Sequence, residues 1–274
     1  MSRLLAELGP VELERLASAL EGGRVDLDQA GPLVARVLAR ELATAVAEQL
    51  RALGLEGLEP RSAALLLRTL AAERRAQRAM AERLELVWTD PEQPSARDTA
   101  VIVRSLCARA ERDLLLANYA FDQPYGEEGR ARARALWAPL AENMDARPEL
   151  RVRMFVNVGR DWHDTTSDDA ALVREFVERF RRDLWPGQRL PELYHDPRAL
   201  LTREQTSERA CMHAKCIVVD ATEVLITSAN FTQAAQARNI EAGLLVRDGT
   251  TARRVIEQFE GLVRAGRLVA VGIR

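Results

Sequence analysis

The sequence predicts an α/β sandwich with a mixed, largely parallel sheet, preceded by an all-helical region. Three observations carry that expectation. From residue 10 to about 85, apolar residues recur at helical spacing, and prolines stand where helices open at Pro10, Pro32 and Pro60. Composition then turns to proline and polar residues over Thr89-Asp90-Pro91-Glu92-Gln93-Pro94-Ser95, which reads as a linker. Beyond it helical and strand-like periods alternate, the pattern of a sheet covered by helices. The expected division is a helical region over 1–88 and an α/β domain over 89–274.

The helix opened by Pro32 carries Val34, Val37, Leu38, Leu42, Ala45, Val46, Leu50 and Leu53 on one face and is expected to close at Gly54. The next runs through Leu65, Leu66, Leu67 and Leu70 into Arg68, Arg74, Arg75, Arg78 and Arg83, alternating with Glu73, Glu82 and Glu85. Such alternation reads as a solvated helix face rather than a phosphate-contacting stripe. In the second region helices are expected over 98–112, 129–143, 168–184 and 251–264. Strands are expected over 113–121, 150–158, 211–219, 223–227 and 239–246.

Composition limits the function. The chain has 274 residues and a formal charge of −2, and residues 1–88 hold 12 basic and 13 acidic side chains. Neither half is therefore a strongly basic binding module. No apolar run approaches the length of a membrane span, and the first residues lack the apolar core of a secretory signal, so a cytoplasmic protein with no membrane partner is expected. Cys107, Cys211 and Cys216 are odd in number and form no C-x-x-C pair, which argues against a disulfide framework or a zinc site. Cys211 and Cys216 read as buried packing residues. Of 39 basic residues, Lys215 alone is lysine. A compact ammonium and a planar guanidinium are not interchangeable, so that position draws attention.

Around Lys215, polar groups stand two apart in strand-like sequence: His213-Ala-Lys215, Ser228-Ala-Asn230 and Asn239-Ile-Glu241, with Asp220 closing the first segment. Residues i and i+2 share a strand face, so His213 and Lys215 should project together from a strand whose remainder is core. Burying an unpaired ammonium is costly, which makes a structural role for so many convergent polar groups a poor explanation.

His213-x-Lys215-x-x-x-x-Asp220, then six residues, then Thr227-Ser228-x-Asn230-Phe231-Thr232, resembles the HKD motif of the phospholipase D superfamily. Thr227 departs from it, standing where the motif usually has glycine. More loosely, Leu86 to Pro91, Arg97-Asp98-Thr99, Asn118-Tyr119-Ala120-Phe121 and His195-Asp196-Pro197-Arg198 resemble the phospholipase D-like DrmC family of DISARM anti-phage defence components.

The resemblance implies a phospholipase D-like sandwich and a phosphodiesterase that needs no metal and no cofactor. His213 would be the nucleophile that forms a phosphohistidine, and a second imidazole would act as acid and then base. Lys215, Asn230 and Ser228 would bind phosphoryl oxygens, and Glu241 would orient a histidine. Asp220 belongs to the motif, but its odd offset from Lys215 points it away and suits a structural role. A single motif supplies one of the two histidines, which implies a homodimer paired across the site. The rival is a monomer that uses His163 or His195, neither of which has a lysine two residues on.

Among substrates, nucleic acid is favoured, with Arg130, Arg132, Arg134, Arg151 and Arg153 as candidate backbone contacts and other defence-system proteins as partners. The alternatives are a catalytically quiet binding subunit and a phospholipase, although no interfacial apolar helix is evident.

Overall fold

A computed structural model describes residues 8–25, 27, 34, 38, 40–92 and 98–272. The chain divides into two compact units between Glu82 and Arg83. In the first, α1 (Pro10–Glu21), α2 (Arg40–Leu55) and α3 (Pro60–Glu82) enclose a core that includes Leu13, Leu16, Val46, Leu50 and Leu67. Proline opens α1 and α3 as expected, while the helix start at Pro32 lies outside the described residues. Gly54 does not end its helix, which runs on to Leu55. Two arginines of α3 reach back to α1: Arg68 pairs with Glu21 at 2.6 Å and Arg75 with Glu14 at 2.9 Å.

The second unit is built on an eight-stranded sheet of order β1-β7-β6-β5-β2-β3-β4-β8. Its strands are β1 (Leu84–Thr89), β2 (Asp113–Asn118), β3 (Arg151–Val156), β4 (Glu192–His195), β5 (Cys216–Val219), β6 (Glu223–Thr227), β7 (Glu241–Val246) and β8 (Val269–Ala270). The sheet is mixed, and parallel pairing is confined to β2-β3-β4. Those strands are joined by whole helices, α5 (Gly126–Ala146) and α6 (Asp169–Arg179), which carry the chain back to the starting edge. From β5 to β7 the connections are short and the pairing is antiparallel. Leu84–Trp88, expected with the helical region, are instead the edge strand β1, antiparallel to β7. Their strict alternation buries Val87 and Thr89 and leaves Leu84, Leu86 and Trp88 outward.

One sheet face packs Leu114, Leu116, Ile217, Leu225 and Leu245 against α4 (Thr99–Arg109), α5 and α6. The other packs Leu115, Phe155, Cys216, Val218 and Val224 against α8 (Gly249–Arg264), which comes after the short α7 (Gln233–Ala237). The N-termini of α4, α6 and α8 are capped by the carboxylates of Asp98, Asp168 and Asp248.

Asp220 and Ala221 turn β5 into β6 with φ of 49° and 56°. The Asp220 carboxylate accepts backbone N–H bonds from Glu111 (3.0 Å), Arg112 (2.8 Å) and Asp113 (2.9 Å), tying this hairpin to the start of β2. Burial opposes its charge, but those amides and the nearby Arg112 outweigh burial and hold its pKa below the ordinary carboxylate value. Asp220→Ala, which orphans three donors, is expected to cost about 2–3 kcal/mol of unfolding free energy, read from the urea midpoint. Because the folded pKa is depressed, this stabilisation is present above the unfolded carboxylate pKa. It is lost as pH falls through the folded value, so the mutant and wild-type curves should converge in acid.

Candidate active site

Strand direction gathers the motif at one edge. The parallel strands β2, β3 and β4 end there, β6 ends there at Thr227, and the oppositely directed β5 and β7 begin there. Ligands of α/β sheets bind at such carboxyl ends. His213 and Lys215 occupy the extended segment that enters β5 at Cys216, one step before the strand expected to contain them. The alternation beyond them holds: Ile217 and Val219 face the α4–α5 core, and Cys216 and Val218 face α8.

Lys215 Nζ lies 3.1 Å from His213 Nδ1 and 3.2 Å from Nε2, and donates to the His213 carbonyl at 3.1 Å. An ammonium can donate only to an unprotonated ring nitrogen, so this contact suits a neutral imidazole. Tyr119, just past β2, backs both groups: its ring lies 4.5 Å from the imidazole and 5.4 Å from Nζ. Burial pushes the Lys215 pKa down, while the charge of Glu241 and the neighbouring Cys211 act against that shift.

Asn230 is anchored from both sides. Its neighbour Phe231 is fully buried against Trp137, with an N–H that donates to Asn118 Oδ1 at 3.0 Å. Asn230 Oδ1 accepts from Ala120 N at 3.3 Å, next to the Tyr119 that backs His213, and its Nδ2 is the group left to donate. Ser228 Oγ donates to Glu241 and accepts from Ala242 N at 3.1 Å. Glu241 also accepts from Asn239 Nδ2 at 3.1 Å. Within the chain Glu241 thus fixes Ser228 and Asn239 rather than a histidine, and the Ser228 hydroxyl proton is already engaged.

Thr227 is buried where the resembled motif has glycine, and its Oγ1 accepts from Ala229 N at 3.1 Å. Across the ladder stands Gly243, where a Cβ would meet Thr227 Cβ and the Ile226 carbonyl oxygen at 3.0 Å. The absent side chain at 243 makes room for the one at 227.

A cleft of about 600 Å³ is lined by His213, Lys215, Ile226, Ser228 and Val255. A smaller hollow of about 200 Å³ on the other side of His213 is lined by Asp196, Arg198, Cys211 and Arg267.

Asp220, Arg151 and Arg153 are not brought to this edge. Asp220 closes the far end of β5, about 16 Å of extended chain from Lys215. Arg151 and Arg153 stand at the opposite end of β3; Arg151 pairs with Glu192 at 2.7 Å, and the buried Arg153 with Asp113 and Glu260. On α5, Arg130 and Arg132 pair with Glu127 and Glu128, and Arg134 donates to the Arg182 carbonyl. Arg130, Arg132, Arg151 and Arg153 are thus ion-paired, whereas Arg134 is held by a neutral carbonyl.

His195 is 5% exposed and its pKa is lowered by burial, an environment that disfavours the imidazolium a general acid needs. His163 lies exposed in the loop after β3 and makes no hydrogen bond to His213. Cys107 and Cys216 are buried, and their thiols are pushed up to about 12. Cys211, expected to be buried, is exposed. Tyr119 was missed as a site residue because it reaches His213 only through the β2–β5 pairing.

A family model described as "Cardiolipin synthase, PLD-like domain" matches residues 108–263. No curated protein matches the chain. Among solved structures, the chain is similar to the phospholipase D family member Nuc from Salmonella typhimurium, with 19% identity and a TM-score of 0.42 over 68% of this chain and 96% of that one. It is similar to NucT from Helicobacter pylori, with 15% identity and a TM-score of 0.43 over 68% and 99%. It is also similar to phosphatidylserine synthase from Haemophilus influenzae Rd KW20, with 12% identity and a TM-score of 0.49 over 73% and 43%. Since the family match spans more than half of its residues and contains the entire motif, this chain belongs to the phospholipase D-like family.

Proposed function

We propose that this protein is a metal-independent phosphodiesterase, a nuclease acting in the cytoplasm as a homodimer within a DISARM-type anti-phage system alongside that system's other proteins. The observation that carries the reading is the contact of Lys215 with the ring of His213, backed by Tyr119, at the sheet edge where Asn230 is anchored on Ala120.

A neutral His213 ring nitrogen attacks phosphorus, the bond to the leaving oxygen breaks, and that oxygen takes its electron pair with it. The proton it needs comes from the partner's His213. That imidazole, now neutral, draws a proton from water; the water oxygen attacks the phosphohistidine and frees the first ring. Lys215 Nζ and Asn230 Nδ2 donate to the non-bridging oxygens as charge builds. Glu241 helps keep Lys215 protonated against burial and locks the Ser228 turn beneath.

The dimer reading is supported by an uncovered apolar strip. Leu86, Leu244 and Ile226 are consecutive neighbours across β1, β7 and β6, and all three are exposed, Leu86 at 64%. Leu84 and Trp88 extend the strip along β1, and Ile226 lines the cleft that holds His213. A contiguous apolar face marks an interaction surface. A second copy placed there would bring its own imidazole to the site.

The test is hydrolysis of bis(p-nitrophenyl) phosphate and of labelled oligonucleotides by the purified protein. Its rate is expected to be unchanged in excess EDTA, because the lysine and two imidazoles supply the charge that a metal provides elsewhere. Loss of activity in EDTA with recovery on adding Mg²⁺ would overturn the metal-free mechanism. Nucleic-acid binding with no hydrolysis under either condition would replace the enzyme reading with that of a quiet binding subunit. Cleavage of phospholipid vesicles alone would replace nuclease with phospholipase.

A further inference from the structure

The loop after β3 and the segment leading into His213 meet in a contact that the reaction scheme leaves unused. Trp162 is 43% exposed, and the Arg209 guanidinium lies 4.7 Å from the centre of its ring. Arg209 Nη1 donates to the carbonyls of Arg160 and Asp161, which fixes the guanidinium against the loop that carries the indole. Its Nε and Nη2 are shielded from solvent and have no hydrogen-bond partner. Atoms closed to water are closed to a phosphate oxygen as well, so Arg209 acts as the brace that holds one face of the indole.

This contact adjoins the reaction centre. Arg209 precedes Cys211 by two residues, at most about 7 Å of chain, and Cys211 lines the hollow beside His213. Arg160, beneath Trp162, donates to the Leu200 carbonyl at 2.6 Å, two residues after Arg198 of the same hollow. On that rim Arg198 is neutralised by Asp196 at 2.6 Å. Arg267 is exposed and makes no ion pair among the described residues. An open aromatic face braced by an arginine, and an arginine with no ion pair, thus stand within a few nucleotides of the nucleophile. Aromatic faces that stack bases beside cations that hold phosphates are how proteins bind single strands.

We propose that this rim is a subsite for single-stranded nucleic acid, in which a base stacks on the open face of Trp162, braced from behind by Arg209, and an adjoining phosphate is held by Arg267. It deepens the nuclease reading and rests on it. A duplex keeps its bases stacked on one another, so the platform selects unpaired strands.

The test is fluorescence anisotropy with a fluorescein-labelled oligothymidylate of about a dozen nucleotides, titrated with the full-length His213→Ala protein so that nothing is cleaved. Trp162→Ala in that background is expected to weaken binding about tenfold, with Trp162→Phe restoring most of the loss. Arg267→Ala should flatten the dependence of log affinity on log salt by about 0.7, the value of one single-strand phosphate contact. Arg109→Ala, at the end of α4 and paired with Glu223 at the start of β6, should bind as its parent does. Undiminished affinity in Trp162→Ala with an intact circular dichroism spectrum overturns the proposal. So does an equal loss on the matching duplex, or a parent that does not bind the oligonucleotide. Hydrolysis of bis(p-nitrophenyl) phosphate by the wild type, measured separately, reports on the catalytic reading alone. A protein that binds through Trp162 and hydrolyses nothing therefore separates the two.

Discussion

His213→Ala is expected to lower turnover by about 10⁴-fold or more while leaving the fold intact, because the residue supplies the bond-forming nitrogen and lies exposed outside both apolar clusters of its unit. The same substitution tests the shared site. If one reaction centre needs an imidazole from each of two chains, an equal mixture of wild-type and mutant chains, left to exchange, keeps both imidazoles in about one dimer in four. Activity per wild-type chain should then fall to about half. A mixture whose rate is the simple sum of its parts would mean that each chain works alone. Lys215→Arg should fold and lose about a hundredfold in rate, since the wider guanidinium cannot keep the 3.1–3.2 Å approach to both ring nitrogens beside Tyr119.

The second large effect is expected from Leu86→Asp. Leu86 is among the most exposed of the large apolar residues, so a carboxylate there costs the isolated chain little. In a dimer whose two copies meet on the β1-β7-β6 face, it would be a charge buried without a partner, which costs several kcal/mol and raises the dissociation constant by at least about a hundredfold. Light scattering should then move the variant to the 30.6 kDa of one chain, with hydrolysis lost at concentrations where the wild type is active. A Leu86→Asp protein that remains dimeric and active would place the interface elsewhere. A wild-type protein that is active as a monomer would remove the need for one.

How much of the fold was legible in the sequence depends on the range over which each determinant acts. The helices of both units were readable because their determinants are local: proline at first turns, and apolar residues three and four apart. β1 was equally local in its period-two pattern, yet it was absorbed into the helical region because the Pro91 linker drew the boundary past it. β4 is four residues between two prolines, too short for periodicity to register.

At the site, residue types and spacing marked His213, Lys215, Ser228, Asn230 and Glu241, but not which atoms meet. That Glu241 accepts the Ser228 hydroxyl's hydrogen bond, and that Tyr119 backs the lysine, depends on strand order and register. The arginines were misjudged for a related reason. Arg151 and Arg153 look cationic in sequence, and only the fold brings Glu192, Asp113 and Glu260 to neutralise them. Free cations are defined by the carboxylates they lack, and those come from distant segments.

The fit between Thr227 and Gly243 couples two positions that are sixteen residues apart in the chain. A side chain at 243 would press at 3.0 Å on Thr227 Cβ and on the Ile226 carbonyl oxygen, so its neighbours would have to give by a few tenths of an ångström. Thr227 is buried and its hydroxyl is engaged by Ala229 N, so it has little freedom to give. What either position tolerates therefore depends on its neighbour across the ladder: part of the crowding at 243 comes from the threonine, and part from the backbone that any residue at 227 would leave in place.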